Sequence, residues 1–103
     1  MGNDYQVVLA IVNSGYADTV MDVARSCGAR GGTIFYARGS AQNKTEEFFG
    51  IRISEEKEIA MIIVPTNIKD EILKEIYDKV GLKTPGSGIA FTLPVEDYVG
   101  LNK

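Results

Sequence analysis

The chain of 103 residues has no histidine, one cysteine and three prolines. Without histidine, imidazole acid/base chemistry and histidine metal ligation are excluded. Cys27 stands alone, so no internal disulfide forms. The 11 basic and 14 acidic residues are interspersed, for a net charge of −3. No basic run exists to track a phosphate backbone, so nucleic acid is not an expected partner. No apolar run is long enough to span a bilayer, and the first residues do not resemble a signal peptide. Direct membrane insertion is therefore not expected. No paired carboxylates, nucleophile–base pair or metal cluster stands out. The reading is a cytoplasmic, non-enzymatic single domain covering residues 1–103. Its hydrophobic share of 45% is sufficient for a packed core.

Tyr5 to Val12 is rich in β-branched residues and reads as a strand. Its two faces, Val7-Leu9-Ile11 and Val8-Ala10-Val12, are both apolar. Asn13-Ser14-Gly15 breaks it. A helix follows from Tyr16 to Cys27, with Val20, Val23, Ala24 and Cys27 on one stripe and Gly28 at the cap position. Cys27 on that stripe reads as a small core residue. Thr33 to Ala37 is a second strand, ending at Arg38-Gly39-Ser40.

A long polar connection, about residues 39–57, comes next, and it carries the aromatic pair Phe48-Phe49. Long connections of this kind are usually functional or disordered. Glu55-Glu56-Lys57-Glu58 reads as a solvated entry to the third strand, Ile59 to Val64. Pro65-Thr66-Asn67 opens a second helix, capped by Thr66 or Asn67. Its stripe is Ile68, Ile72, Ile76 and Val80, with Leu73 alongside. Asp70–Lys74 and Glu75–Lys79 are expected ion pairs on its wet side. A fourth strand runs from Ile89 to Leu93. Pro94 marks its exit, and Pro94 to Leu101 has room for one further helical turn.

The order βαββαβ predicts an α+β, ferredoxin-like domain, with two interleaved βαβ units, a four-stranded antiparallel sheet and both helices on one face. The helices cover only one apolar sheet face. The other needs a cover, and further copies of the same chain supply the simplest one. Periodicity thus points to an oligomer with sheets facing inward, without fixing the number of subunits.

Between the second helix and the last strand lies Gly81-Leu82-Lys83-Thr84-Pro85-Gly86-Ser87-Gly88. Two readings of it stand side by side. Glycines around Ser87 free backbone N–H groups to face an anion such as phosphate, with Lys83, Thr84 and Ser87 adding charge and hydroxyls. Alternatively, Gly81 caps the helix, Pro85 stops it, and the glycines simply turn the chain.

Three stretches carry a wider likeness: Gly31-Gly32-Thr33-Ile34-Phe35-Tyr36-Ala37-Arg38-Gly39, Ile62-Ile63-Val64-Pro65, and Lys83 through Val95. In this order and spacing the chain resembles the PII nitrogen-regulatory signalling family from about Tyr5 to Leu101. The resemblance implies a homotrimer that binds ATP, ADP or another adenine nucleotide in clefts between subunits, in some members with magnesium and 2-oxoglutarate. It further implies a long loop that docks on a regulated transporter or enzyme. Carried over by position, Gly86, Ser87 and Gly88 cradle phosphate, and Thr33 meets the nucleobase side. Gly39 and Ser40 start the loop near the ligand, Lys57 returns from it with a positive charge, and Thr84 and Pro85 complete the ligand set.

The chain departs from the family pattern in three places. Ile89 stands where the family usually has lysine. The residues after the last strand lack the usual arginine pair. The loop carries no tyrosine, so tyrosine nucleotidylation is not expected. Fewer cationic contacts imply weaker triphosphate binding, at roughly 1.5–3 kcal/mol for each charge-assisted bond. Two readings from other classes remain: a ligand-free oligomeric adaptor acting through Phe48 and Phe49, and an acylphosphatase-like hydrolase on the same sheet.

Overall fold

The computed structural model describes residues 4–39 and 55–101. Four strands, β1 (Tyr5–Asn13), β2 (Thr33–Gly39), β3 (Glu55–Pro65) and β4 (Ile89–Pro94), form one sheet in the order β2-β3-β1-β4. Every neighbouring pair is antiparallel. The helices are α1 (Ala17–Ser26) and α2 (Lys69–Val80). This is the expected ferredoxin-like arrangement, with both helices on one sheet face.

Period-two alternation decides which side chains those helices cover. Val8, Ala10 and Val12 of β1 pair with Ile62, Ala60 and Glu58 of β3. The apolar members of that set, together with Val64, are fully buried. Against them lie Val20, Met21, Val23 and Ala24 of α1 and Ile72, Ile76 and Val80 of α2. Cys27 packs at the margin of this core, as its place on the helix stripe predicts. The opposite face carries Val7, Leu9 and Ile11 opposite Ile63, Met61 and Ile59, with Leu93, Phe91 and Ile89 on the β4 side. There Phe91 is 41% exposed and Leu93 47%.

Several local expectations are corrected. β3 begins at Glu55, so Lys57 lies inside a strand and the connection spans 40–54 rather than 39–57. The charged entry is held by partners on β1 and α1: Lys57 Nζ donates to Asn13 Oδ1 (2.8 Å), and the Ala17 N–H donates to Glu58 Oε1 (3.0 Å). A 3-10 turn, Thr66–Ile68, precedes α2, and the N-cap of α2 is Ile68 with no side-chain cap bond, so the N-cap position falls to neither Thr66 nor Asn67. Asp70 pairs with Lys69, and Lys74 with Asp78, in place of an Asp70–Lys74 pair; Lys79–Glu75 forms as expected. Residues 94–101 form no further helical turn.

Candidate functional site

The Gly-rich connection is a tight loop closed at its neck. Gly81 ends α2, with its N–H on the Tyr77 carbonyl. Gly81 and Gly88 then meet in an isolated parallel bridge, and the Gly88 N–H donates to Val80 O at 2.7 Å. Inside the loop, Thr84 bonds Gly81 O through both its N–H (3.0 Å) and its hydroxyl (2.8 Å). The Ser87 N–H donates to Thr84 O at 2.9 Å. The closeness explains the glycines. A Cβ on Gly88 would lie 2.6 Å from Val80 O and 2.8 Å from Val12 Cγ1, and one on Gly86 would lie 3.0 Å from Val80 Cβ.

These bonds bear on the phosphate cradle drawn from Gly86, Ser87 and Gly88. Two of the three amides, those of Ser87 and Gly88, already donate within the loop. Ser87, half-buried between the buried Gly86 and Gly88, has φ +47° and is the only non-glycine at positive φ among the described residues. A left-handed conformation costs an L-residue roughly 1–2 kcal/mol, and such strain concentrates at ligand sites. Ser87 is therefore the position where this loop meets its surroundings under strain.

Asn13, at the end of β1, fastens the loop to the sheet. Its N–H donates to Gly86 O and its Nδ2 to Pro85 O, both at 2.9 Å, while its Oδ1 accepts from Lys57. Lys57, Thr84, Pro85, Gly86, Ser87 and Gly88 thus share one end of the sheet. Thr33 does not join them. It pairs with Met61, which pairs with Leu9, four residues before Asn13. That is about 13 Å along the strands and two strand spacings, about 10 Å, across them. Gly39 closes β2 opposite Glu55. Ser40, Phe48 and Phe49 lie outside the described residues.

Thr33 instead lines a separate cleft of about 1050 Å³, with Asp4, Tyr5, Arg30, Met61 and Tyr98 among its walls. Tyr5 pins that wall: its hydroxyl donates to Leu101 O (2.9 Å), and its ring meets Tyr98 edge-on at 5.1 Å. Sequence reasoning missed Asn13, Tyr5, Arg30 and Tyr98. Asn13 carried one signal, as the polar residue ending an apolar strand. The tyrosines carried none, because 96 positions separate Tyr5 from its acceptor, Leu101.

Among the described residues no group of three His, Cys, Asp or Glu side chains is placed to hold a metal. None of their helices is long and apolar enough to cross a membrane.

The model of a family described as nitrogen regulatory protein P-II matches residues 5–103. The chain belongs to that family. Among solved structures, the P-II chain aligns with Arabidopsis thaliana PII bound to citrate at 24% identity and a TM-score of 0.71, covering 96% of this chain and 84% of that one. A Bacillus subtilis GlnK–ATP complex gives 15% identity and a TM-score of 0.68, covering 92% and 84%. A PII-like protein from Thiomonas intermedia K12 bound to ADP, AMP and bicarbonate gives 13% and 0.69, covering 94% and 96%. At these identities the structures establish the fold. Comparison with curated protein sequences gives no significant match. P-II proteins are signalling proteins, and this chain shares their fold.

Proposed function

We propose that this P-II protein is a cytoplasmic signal sensor. It binds an adenine nucleotide between the subunits of a homotrimer and regulates a partner, a transporter or an enzyme, through the 40–54 connection that carries Phe48 and Phe49. The observation that carries the reading is the junction at Asn13, which brings the Lys57 ammonium to the Gly-rich loop and so supplies a cation where a phosphate would rest. The solved relatives with ATP, ADP and AMP support the choice of ligand class. The separation of Thr33 from that loop supports a cleft built from two copies, Thr33 serving the nucleobase side from one subunit and Gly86-Ser87-Gly88 the phosphate side from the next. The apolar open face supports the assembly.

The test is calorimetric titration with ATP, ADP and AMP, with and without magnesium and 2-oxoglutarate, beside light scattering. The expected result is a particle of three 11.2 kDa chains taking one nucleotide per subunit, with affinity lowered by Ser87→Ala. Gly86→Val and Gly88→Val are unsuitable probes, because their side chains would collide with Val80 whether or not a ligand binds. A trimer that ignores all three nucleotides would discard the site and keep the fold.

The bonds that occupy the Ser87 and Gly88 amides favour a second reading, a ligand-free oligomeric adaptor. On that reading, deletion of residues 45–51 abolishes partner capture while nucleotides leave the melting temperature unchanged.

A further inference from the structure

Lys57 reaches the Gly-rich loop only through Asn13, and the chemistry of that contact is selective. The Lys57 ammonium can only donate, and the Pro85 carbonyl can only accept. A side chain between them must accept on one side and donate on the other. The Asn13 carboxamide does both, at 2.8 Å and 2.9 Å, and the two partners fix which end is oxygen and which is nitrogen. An aspartate of the same shape would lose the donor to Pro85 and neutralise the ammonium. The two carboxylates adjacent to Lys57 in sequence, Glu56 and Glu58, do not pair with it. Alternation sends Glu56 and Glu58 to the other sheet face, level with Arg38 and Tyr36, where Glu58 accepts the Ala17 N–H. No ion pair to Lys57 occurs among the described residues.

We propose that Asn13 is the positioning residue of an anion half-site: it aims Lys57 at the Pro85-Gly86-Ser87 turn through a neutral acceptor, so the full positive charge stays available to a phosphate-bearing ligand. The proposal rests on the reading above that this loop meets an anion. It adds the residue that makes Lys57 serve it. The half-site lies at the rim of the open apolar face, since Asn13 and Lys57 continue the rows of Ile11 and Ile59. A second copy covering that face would border the bound anion.

The test uses the full chain with ADP as probe, titrated at about 50 mM and about 300 mM sodium chloride, where screening differs strongly. Wild type, Asn13→Ala, Lys57→Gln and the double variant are compared. Each single variant is expected to lower low-salt affinity about tenfold and to flatten the salt dependence, because Lys57→Gln removes the charge and Asn13→Ala removes its aim at the turn. The double variant is expected to bind no more weakly than Lys57→Gln alone. A double variant showing the product of the two single losses overturns the proposal.

Hydrogen exchange on the ligand-free protein gives a second readout. Asn13→Ala is expected to speed exchange of the Ser87 and Gly88 amides about tenfold or more while central β1 amides keep their protection, which also verifies folding. Unchanged loop exchange overturns the proposal. If wild type ignores ADP, the same four proteins are titrated with inorganic pyrophosphate. Binding there, with the same non-additivity, keeps the role of Asn13 and overturns only the adenine-nucleotide reading. Silence toward both probes overturns the anion half-site itself.

Discussion

The two faces of the sheet are built from nearly the same residue types yet have different surroundings. On the helix side Val8, Val12, Ile62 and Val64 are completely buried. On the other side Ile63, Ile89, Phe91 and Leu93 keep between 38% and 48% of their surface exposed. Their composition alone cannot tell these faces apart. What separates them is that α1 and α2 cover one, and none of the described residues covers the other. The strands therefore carry two apolar faces, one covered within the chain and one left open to a partner under the proposed assembly.

The sharpest way to break this comparison is to cut into each face in turn. Ile62→Ala is expected to cost about 2–5 kcal/mol of folding stability, since the packed helices cannot close the space. Urea denaturation checks it, and a loss under about 1 kcal/mol would show a core less tightly packed than described. Phe91→Glu is expected to spare the fold of each chain and dissolve the proposed trimer. Its circular dichroism should stay close to that of wild type while the mass by light scattering falls to a single chain. If the mass holds, β4 lies outside the interface.

Smaller effects sharpen the boundary of the covered face. Gly88→Ala places a methyl group against Val80 O and Val12 Cγ1, and is expected to destabilise by about 1–3 kcal/mol. Gly31→Ala, which meets nothing within 4 Å, is its control and should shift the melting temperature little. Equal effects from the two would refute the close approach of the Gly-rich loop to β1. Smallest of all, Ser87→Gly should be neutral or stabilising by up to about 1 kcal/mol, because relief of the left-handed strain exceeds the added chain entropy. A clear loss of stability in thermal melts would mean that the Ser87 side chain holds the loop.

Much of the fold was legible because its signals are local and periodic. The doubly apolar strands, the stripes of α1 and α2 and the break at Gly81 each sit within a dozen residues. The start of β3 was not legible. Glu55 to Glu58 looks solvent-bound, and its place in the sheet depends on Asn13 and Ala17, about forty positions away. The cap of α2 was misjudged for a related reason: Thr66 lies in a 3-10 turn whose N–H is taken by Asp4 O across the sheet end. The candidate site was legible as a list of residues and not as an arrangement. Thr33 and Ser87 look like members of one pocket in a family likeness, while register alone puts strands between them.

The strand order carries a consequence for how the chain is made. β1 is synthesised first and ends up second from the edge of the sheet, between β3 and β4. Val8 must wait for Ile62, and then for Thr92, before both its flanks are paired. During that interval on the ribosome the most apolar strand of the molecule has two unpaired edges. Its only cover is α1, which follows at once in the sequence and can fold over it. The early helix is thus positioned to shield a nascent strand against aggregation as well as to pack a finished core.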